Sequence, residues 1–309
     1  MLYICDKNKN NYLIFSSDFF ERLLTTFDLK MTIHCKGQLI DLSTPKVMGI
    51  LNFTPNSFYD GGKFIGENEI LLQVKKMLDE GATFIDIGAY SSKPNAEFVS
   101  EEEELSRIVP IVNLILQRFP ETIISIDTFR SEVAKVCIES GVAIINDISA
   151  GNLDDKMLET IAKYNVPYIM MHMRGTPQTM QSMTDYENIV KEMLFYFSDR
   201  VAKARSCGIN DLIVDPGFGF AKTLEQNYEV LQNIGLLEML KLPILVGFSR
   251  KSMIYKTLNL NSEEALNGTT VLNTIALTNG AKILRVHDVK EAMECVTLFN
   301  KTINSNEIF

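Results

Sequence analysis

Acidic and amide side chains stand at the ends of successive short apolar runs in this chain. A carboxylate can pair in two places with the edge of a flat heterocycle that carries amino and lactam groups, so these residue types favour recognition of such a ring. Groups of this kind are costly to bury unless something pairs with them, and a ring of them therefore predicts a polar ligand. The candidates are Asn52, Asp86, Asp127, Asn146, Asp147 and Asp215.

Basic side chains follow the last two apolar runs. Lys251 can donate to the opposite edge of the same ring, and the planar guanidinium of Arg285 can stack on its face. Arg285 and His287 are alternate residues of one short strand, so they share a face and form the basic cluster that an anionic substrate needs. Asn52 offers an oxygen that suits a Mg²⁺ ion bridged to phosphates, because Mg²⁺ takes few protein ligands.

The stretch KVMGILNFTPNSFYDGG, residues 46–62, shows how such residues are positioned. Its first half is apolar and β-branched enough for a buried strand. Its second half holds a proline and two glycines, which are turn residues. In parallel α/β folds, binding sites are built where buried strands end in such loops.

The same alternation repeats along the chain from Lys46 onward. Apolar runs predict strands at Val47–Asn52, Phe84–Gly88, Ile123–Asp127, Ala143–Ile148, Tyr168–Met173, Leu212–Pro216, Ile244–Ser249 and Ile283–His287. Helical patterns follow them at Glu67–Glu80, Glu101–Phe119, Ser131–Ser140, Leu153–Tyr164, Tyr186–Ser206, Leu224–Leu240, Glu263–Asn279 and Val289–Ile303. This order predicts an α/β fold of the (β/α)8 TIM-barrel type. An open doubly wound sheet is the alternative, but it usually has fewer units and its G-x-G-x-x-G loop is missing.

Two segments precede the predicted barrel. Residues 32–42 alternate on both sides of a Lys36-Gly37 turn and predict a β-hairpin that covers the bottom of the barrel. We therefore expect a single barrel domain over residues 32–309. Residues 1–31 form an N-terminal extension whose structure the sequence pattern does not define.

Composition narrows the class of protein. The 309 residues are 46% hydrophobic and carry a net charge of −9, which argues against a nucleic-acid or membrane-surface partner. The chain has no apolar run long enough for a membrane span and no secretory signal pattern. Its five cysteines are scattered without C-x-x-C spacing, which is typical of reduced thiols in a cytoplasmic protein.

Eight segments together closely resemble the dihydropteroate synthases, in order and over about residues 32–305. They are VMGILNFTPNSFYDGG, DIGAYSSKPNAEFVSEEE, SIDTFRSEVA, INDISAG, MHMRGTPQTMQ, DPGFGFAKTLEQN, GFSRKS and GTTVLNTIALTNGAKILRVHDV. The resemblance implies condensation of 6-hydroxymethyl-7,8-dihydropterin diphosphate with p-aminobenzoate, with Mg²⁺ present. It also implies sulfonamides as competitors and a homodimer.

The same resemblance assigns roles to individual residues. It places the pterin pocket at Asp127, Asn146, Asp215, Phe220, Lys251 and Arg285. It places the diphosphate at Asn52, Arg285 and His287, with Asn52 as the metal ligand. It places p-aminobenzoate at Phe58, Ser92, Lys93, Pro94 and Ser252. The implied catalytic residues are Asp60, Asp127, Asp215, Lys251 and Arg285.

The second loop departs from the family pattern. Lys93 and Asn95 stand where the family usually has arginine and glycine, so sulfonamide sensitivity does not follow from the sequence. Lysine keeps the charge of arginine but loses its planar fork.

Two rival functions stay open at this point. One is a pterin-binding barrel that transfers a methyl group from methyltetrahydrofolate, and the other is an inactive barrel kept as a binding module. The methyltransferase has no use for a diphosphate-binding cluster or for the long YDGG loop. The presence of Asn52, Asp60, Lys251 and His287 argues against an inactive barrel.

Several polar residues have more ordinary interpretations. Asp86 and Asp147 are equally compatible with ligand contact and with structural hydrogen bonds. We expect His172 to be structural, Arg250 to face outward in a salt bridge, and residues 101–104 to be a solvated helix start.

Overall fold

The structure is a computed structural model, and it describes residues 3–5, 12–14, 31–51, 63–88 and 99–304. The chain divides into two compact units, Met1–Met31 and Thr32–Phe309. In the first unit, strands β1 (Tyr3–Cys5) and β2 (Tyr12–Ile14) pair antiparallel.

The second unit is a parallel barrel preceded by a hairpin. The hairpin strands are β3 (Thr32–Cys35) and β4 (Gln38–Asp41). The barrel strands are β5 (Lys46–Leu51), β6 (Phe84–Ile87), β7 (Ile123–Asp127), β8 (Ile144–Asp147), β9 (Tyr168–Met171), β10 (Leu212–Asp215), β11 (Leu245–Val246) and β12 (Ile283–Val286). They pair in parallel in the order β10-β9-β8-β7-β6-β5-β12-β11. A bridge between Val214 and Ile244 joins the two ends of this order, and the predicted (β/α)8 barrel is confirmed.

Helices follow the barrel strands. They are α1 (Lys63–Asp79), α2 (Glu101–Arg118), α3 (Ser131–Glu139), α4 (Met157–Tyr164), α5 (Ile189–Ser206), α6 (Leu224–Gln232), α7 (Ser252–Leu258), α8 (Leu266–Thr278) and α9 (Val289–Asn304). Short 3₁₀ turns occupy Met180–Ser182, Ile234–Leu240 and Glu263–Ala265. Within the described parts of the chain, no helix is long and apolar enough to cross a membrane.

The hairpin lies at the bottom of the barrel, as predicted. Lys36 Nζ donates to the carbonyl of Pro120 at 2.7 Å, just before β7. The backbone N–H of His34 donates to the Asp211 carboxylate at 3.1 Å, just before β10. Both acceptors precede barrel strands, so the hairpin ties the amino-terminal ends together and leaves the opposite end for chemistry.

Alternation along the strands separates an outer core from the barrel interior. On β6, Ile85 and Ile87 belong to the large apolar cluster formed with the surrounding helices. Phe84 and Asp86 alternate with them and are equally buried, so they face the barrel interior. The last inward position of β6 therefore carries a charge to the carboxyl end of the barrel.

Several element boundaries differ from the sequence prediction. Strands β9 and β11 stop at Met171 and Val246, before their predicted ends at Met173 and Ser249, and the residues that follow them are in loops. The helix predicted over residues 224–240 ends as an α-helix at Gln232 and continues as a 3₁₀ turn after Asn233. Helix α7 was not predicted, since its seven residues are too few for a clear helical period.

The start of α2 corrects one expectation. Ser100 caps the helix by accepting from the backbone N–H of Glu103 at 3.1 Å. Glu104 is not solvated but fully buried. It forms an ion pair with Arg130 and accepts a 2.7 Å hydrogen bond from Thr128, so it braces the segment after β7.

Two phenylalanines of α5 test the packing. Phe197 is 0% exposed and Phe195 is 66% exposed. We expect Phe197→Ala to lower the free energy of unfolding by about 3–5 kcal/mol, because it leaves a cavity between helix and barrel. Phe195→Ala on the same helix should change it by less than about 0.5 kcal/mol. Urea unfolding measures both, and equal losses would contradict this packing.

Candidate active site

Several described members of the predicted ring of polar residues come together at the carboxyl ends of the barrel strands. Arg285 on β12 reaches Asp86 on β6 and Asp127 on β7, so its side chain extends past β5, which lies between β12 and β6. These residues are far apart in sequence, and the barrel alone makes them neighbours. The side chains share one end of the molecule.

Two carboxylates hold the guanidinium of Arg285. Asp86 Oδ2 accepts from Arg285 Nε at 2.7 Å and lies 2.6 Å from Nη2. Asp127 Oδ2 accepts from the same Nη2 at 3.1 Å. Charge-assisted bonds of this geometry are strong and directional. They fix the orientation of the guanidinium and leave its Nη1 group without a hydrogen bond to any described residue.

Two carboxylates, Asp86 and Asp127, bind one guanidinium, so the three groups together carry one excess negative charge when both acids are ionised. Burial raises the pKa of Asp127 to about 7, Arg285 lowers it in part, and the Asp86 charge adds to the rise. Asp127 is therefore poised to respond to a change of charge beside it.

Asp86 belongs to the site, although the sequence did not decide between ligand contact and a structural role for it. It is 1% exposed, and its Oδ2 also accepts from Asn146 Nδ2 at 3.4 Å. Its Oδ1 has no hydrogen-bond partner within the described part of the chain. Asp86 thus fixes two predicted pterin-pocket residues, Arg285 and Asn146. The only sequence signal for this role was an acid at the end of an apolar run.

Asp215 and Lys251 form the other side of the site. Asp215 is buried, and its Oδ1 accepts from the backbone N–H of Gly217 at 2.8 Å. Lys251 Nζ donates to the carbonyl of Phe218 at 2.6 Å. Burial raises the pKa of Asp215 and lowers that of Lys251 to about 8, and each charge opposes the shift of the other.

An apolar wall lies beside these charges. Phe220 packs against a small buried cluster whose members are Ile148, Met171, Met173, Met180 and Ala221. The Lys251 ammonium lies 4.8 Å from the centre of the Phe220 ring. An aromatic face beside an acid and a lysine suits a flat ring that carries polar edges.

The basic corner is formed by the end of β12 and the following residues. His287 Nδ1 and Ser249 Oγ are 2.9 Å apart, and the His287 backbone N–H donates to the same Oγ at 3.1 Å. Arg250 faces away in a bidentate salt bridge with Asp288, as expected. Ser252 is the first residue of α7. Residues 249–252 therefore bring His287, Lys251 and Ser252 to the same end of the barrel.

Six predicted site residues lie outside the described residues. They are Asn52, Phe58, Asp60, Ser92, Lys93 and Pro94. Among the residues that are described, no group of three or more His, Cys, Asp or Glu side chains could hold a metal ion.

Two residues of the polar inventory are structural. Asp147 accepts hydrogen bonds from the Ser149 hydroxyl, the Gly151 N–H and the Tyr168 hydroxyl, and so it shapes the turn after β8. His172 is 2% exposed and lies edge-to-face with Tyr196. Burial lowers the pKa of His172 well below its usual value, so the imidazole is neutral.

The sequence pattern of the family described as pterin binding enzyme matches residues 48–287, which is more than half of the chain. The matched range contains every described residue of the site. The chain therefore belongs to the pterin-binding enzymes.

Relatives and solved structures define the branch of that family. A dihydropteroate synthase of Haemophilus influenzae is 43% identical over 89% of this chain and 100% of its own length. The Yersinia pestis dihydropteroate synthase, solved as a sulfonamide drug complex, is 40% identical, with a TM-score of 0.82 over 89% of this chain and 100% of that one. The Xanthomonas albilineans enzyme, solved with 4-aminobenzoic acid, is 32% identical, with a TM-score of 0.81 over 88% of this chain and 98% of that one. Within the pterin-binding enzymes, the chain groups with the dihydropteroate synthases.

The raised pKa of Asp127 predicts a pH effect on stability. Between its unfolded value of 3.8 and its folded value of about 7, the native protein keeps a proton that the unfolded chain has lost. The free energy of unfolding should therefore fall as pH rises through this window, by up to about 1 kcal/mol per pH unit. Asp127→Asn lacks this contribution. Urea unfolding of both proteins from pH 5 to 7 measures it, and a constant difference between them would contradict the assignment.

Two glycines beside Asp215 test the loop geometry. Gly217 and Gly219 both have positive φ, +66° and +83°. A Cβ at Gly217 would lie 2.3 Å from the His172 carbonyl oxygen, whereas at Gly219 the nearest atom is Lys251 Cδ at 3.5 Å. Gly219→Ala should cost about 1–2 kcal/mol of stability from backbone strain, and Gly217→Ala about 1–3 kcal/mol more. Thermal unfolding compares them, and equal losses would show that the contact with His172 is not tight.

Proposed function

We propose that this chain condenses 6-hydroxymethyl-7,8-dihydropterin diphosphate with p-aminobenzoate to give 7,8-dihydropteroate and pyrophosphate. The observation that carries the proposal is a buried acid, Asp215, and a half-buried lysine, Lys251, beside a guanidinium that Asp86 and Asp127 hold in place. One half of this site suits a polar ring, and the other suits its anionic tail.

Asp215 and Asn146 bind the amino and lactam edge of the pterin in this proposal, and Lys251 binds the opposite edge. Asp215 Oδ2 accepts no hydrogen bond from a described residue, so it is open to a ring N–H donor. Phe220 packs against the face of the ring. The support for these roles is the burial of Asp215 and the position of Lys251 over Phe220.

Loss of pyrophosphate leaves positive charge that spreads from the methylene into the electron-rich ring. Asp127 and Asp215 stabilise this charge electrostatically, because hydrogen bonds from Arg285 and Gly217 fix them before the reaction begins. Arg285, through Nη1, and His287 stabilise the departing anion. Since Asp86 and Asp127 already orient Arg285, little reorganisation is needed at that moment.

The amine of p-aminobenzoate is a weak nucleophile that is neutral at pH 7, so positioning matters more than a strong base. Ser252, the first residue of α7, is the predicted p-aminobenzoate contact that lies among the described residues. Phe58, Ser92, Lys93 and Pro94 complete this side in the proposal. Asp60 then helps to hold the cationic intermediate and the incoming amine.

We further propose Mg²⁺ as the cofactor, with Asn52 supplying an oxygen ligand. An amide oxygen fits the oxygen-only preference of this ion. When bound, the ion would neutralise charge on the diphosphate. Arg285 and His287 would stabilise the negative charge of the diphosphate alongside the ion.

The remaining partners are also proposals. Sulfonamides compete for the p-aminobenzoate side, by analogy with the Yersinia pestis complex. A homodimer is supported by exposed apolar side chains on α8 and α9, namely Val271, Ile275 and Leu298. A cytoplasmic location is supported by the described cysteines, which are free thiols.

Pyrophosphate release from the pterin diphosphate tests the reaction. With Mg²⁺ and p-aminobenzoate present, the wild-type protein should release pyrophosphate. A methyltransferase or an inactive barrel would release none. An absence of release would therefore overturn the proposed reaction.

Asp215, which ends β10, and Asp211, which precedes it, test the pterin pocket. Asp215→Asn should raise the dissociation constant of the pterin at least about tenfold, because an amide loses one of the paired acceptors. Asp211→Asn, just before the same strand and beside the hairpin, is the control and should bind the pterin normally. Calorimetric titration measures both, and an unchanged pterin affinity in Asp215→Asn would refute its role.

A further inference from the structure

Lys222 is a buried cation that the proposed reaction does not use. It ends the segment DPGFGFAK, which begins at Asp215, and it is 7% exposed. Among the described residues, no carboxylate forms an ion pair with it. A buried ammonium without such a pair needs other acceptors, since desolvation of the charge is otherwise unfavourable.

Three acceptors surround the Lys222 ammonium. Nζ lies 2.9 Å from the carbonyl oxygens of both Gly217 and Phe220, and 3.1 Å from His172 Nδ1. The His172 carbonyl oxygen is a more distant fourth neighbour at 3.4 Å. An ammonium has three N–H groups, so the three nearer acceptors satisfy it. His172, which is neutral, then accepts at Nδ1 and carries its proton on Nε2.

These contacts join the loop after β10 to the end of β9. The backbone N–H of His172 donates to the Asp215 carbonyl at 2.8 Å, which extends the pairing of the two strands. Lys222 ties the side chain and the carbonyl of His172 to the residues just beyond Asp215. The end of β9 and the loop therefore keep one relative position.

The same loop sets the two pterin-binding groups. Gly217 donates its N–H to the Asp215 carboxylate while its own carbonyl accepts from Lys222. The next carbonyl, that of Phe218, accepts from Lys251. Two lysines thus divide the carbonyls of one short loop between them. If Lys222 lost its hydrogen bonds to the Gly217 and Phe220 carbonyls, the loop would be less restrained. The Gly217 N–H that orients Asp215 and the Phe218 carbonyl that holds Lys251 could then both move.

Lys222 does not itself reach the ligand in this arrangement. Its ammonium is enclosed by the backbone carbonyls of Gly217 and Phe220 and by the His172 ring. It also differs from an ordinary surface lysine, because burial lowers its pKa to about 7 against the opposing effect of Asp215.

We propose that Lys222 is a positioning residue of the pterin pocket: by holding Gly217, Phe220 and His172, its ammonium fixes the loop that aims Asp215 and Lys251 at the ring. The inference rests on the proposed function of this site. It predicts that loss of Lys222 specifically weakens binding of the pterin ring. The diphosphate corner and the p-aminobenzoate side should be little affected.

Lys222→Met tests the inference, since methionine has a similar length and no charge. We expect the pterin dissociation constant and KM to rise at least about tenfold. The KM for p-aminobenzoate should stay within about twofold. Affinity for a hydroxymethylpterin that lacks the diphosphate should fall by the same factor, because the ring and not the tail is affected. Lys256→Met, at an exposed position of α7, is the control and should match the wild type.

The outcomes separate this inference from the proposed reaction. A wild-type protein that neither binds the pterin nor releases pyrophosphate would overturn the proposed function itself. A folded Lys222→Met variant with normal pterin affinity, altered only in thermal stability, would overturn the positioning role.

A second variant decides the matter if Lys222→Met does not fold. His172→Phe keeps a ring against Tyr196 but removes the Nδ1 acceptor. A rise of about threefold or more in the pterin dissociation constant, with the KM for p-aminobenzoate unchanged, supports the inference. An unchanged pterin dissociation constant overturns it.

Discussion

The burial of charge at one end of the barrel is the constraint on which the rest of the site depends. Two carboxylates, Asp86 and Asp127, share the Arg285 guanidinium, and the lysines opposite them are held by backbone carbonyls. Each of these charges would be unfavourable in isolation. The set is tolerable only because the barrel brings every partner to the same place, which also means that the site is assembled before any ligand arrives.

Stability and chemistry are separated along the barrel axis. The hairpin and its bonds through Lys36 and His34 close the bottom, where the partners are backbone and surface groups. The opposite end holds the charged features, including the buried Lys222, and a loop whose left-handed backbone at Gly217 needs glycine. Substitutions at the two ends should therefore have different consequences, as is usual for folds of this architecture.

Much of this arrangement follows from the sequence because it is local. The period of the apolar runs predicted the barrel, and the polar residues at strand ends predicted Asp127, Asn146, Asp215, Lys251, Arg285 and His287 as neighbours. What the sequence left open are the pairings. Asp86 and Arg285 are 199 positions apart, and no local pattern tells which acid a buried arginine selects. Glu104 and Lys222 were not recognised because a charged residue inside a helix start or loop is usually solvated.

The join between the two ends of the sheet has a consequence for ligand binding. Strands β10 and β11 meet through a bridge between Val214 and Ile244, and β11 is only two residues long. Asp215 stands at the end of one of these strands, and Lys251 follows the other. The single bridge between β10 and β11 makes this the most sparsely bonded seam of the barrel. A ligand that hydrogen-bonds to both Asp215 and Lys251 spans this seam. Occupancy of the pocket and resistance of the seam to opening are then linked, so each reinforces the other.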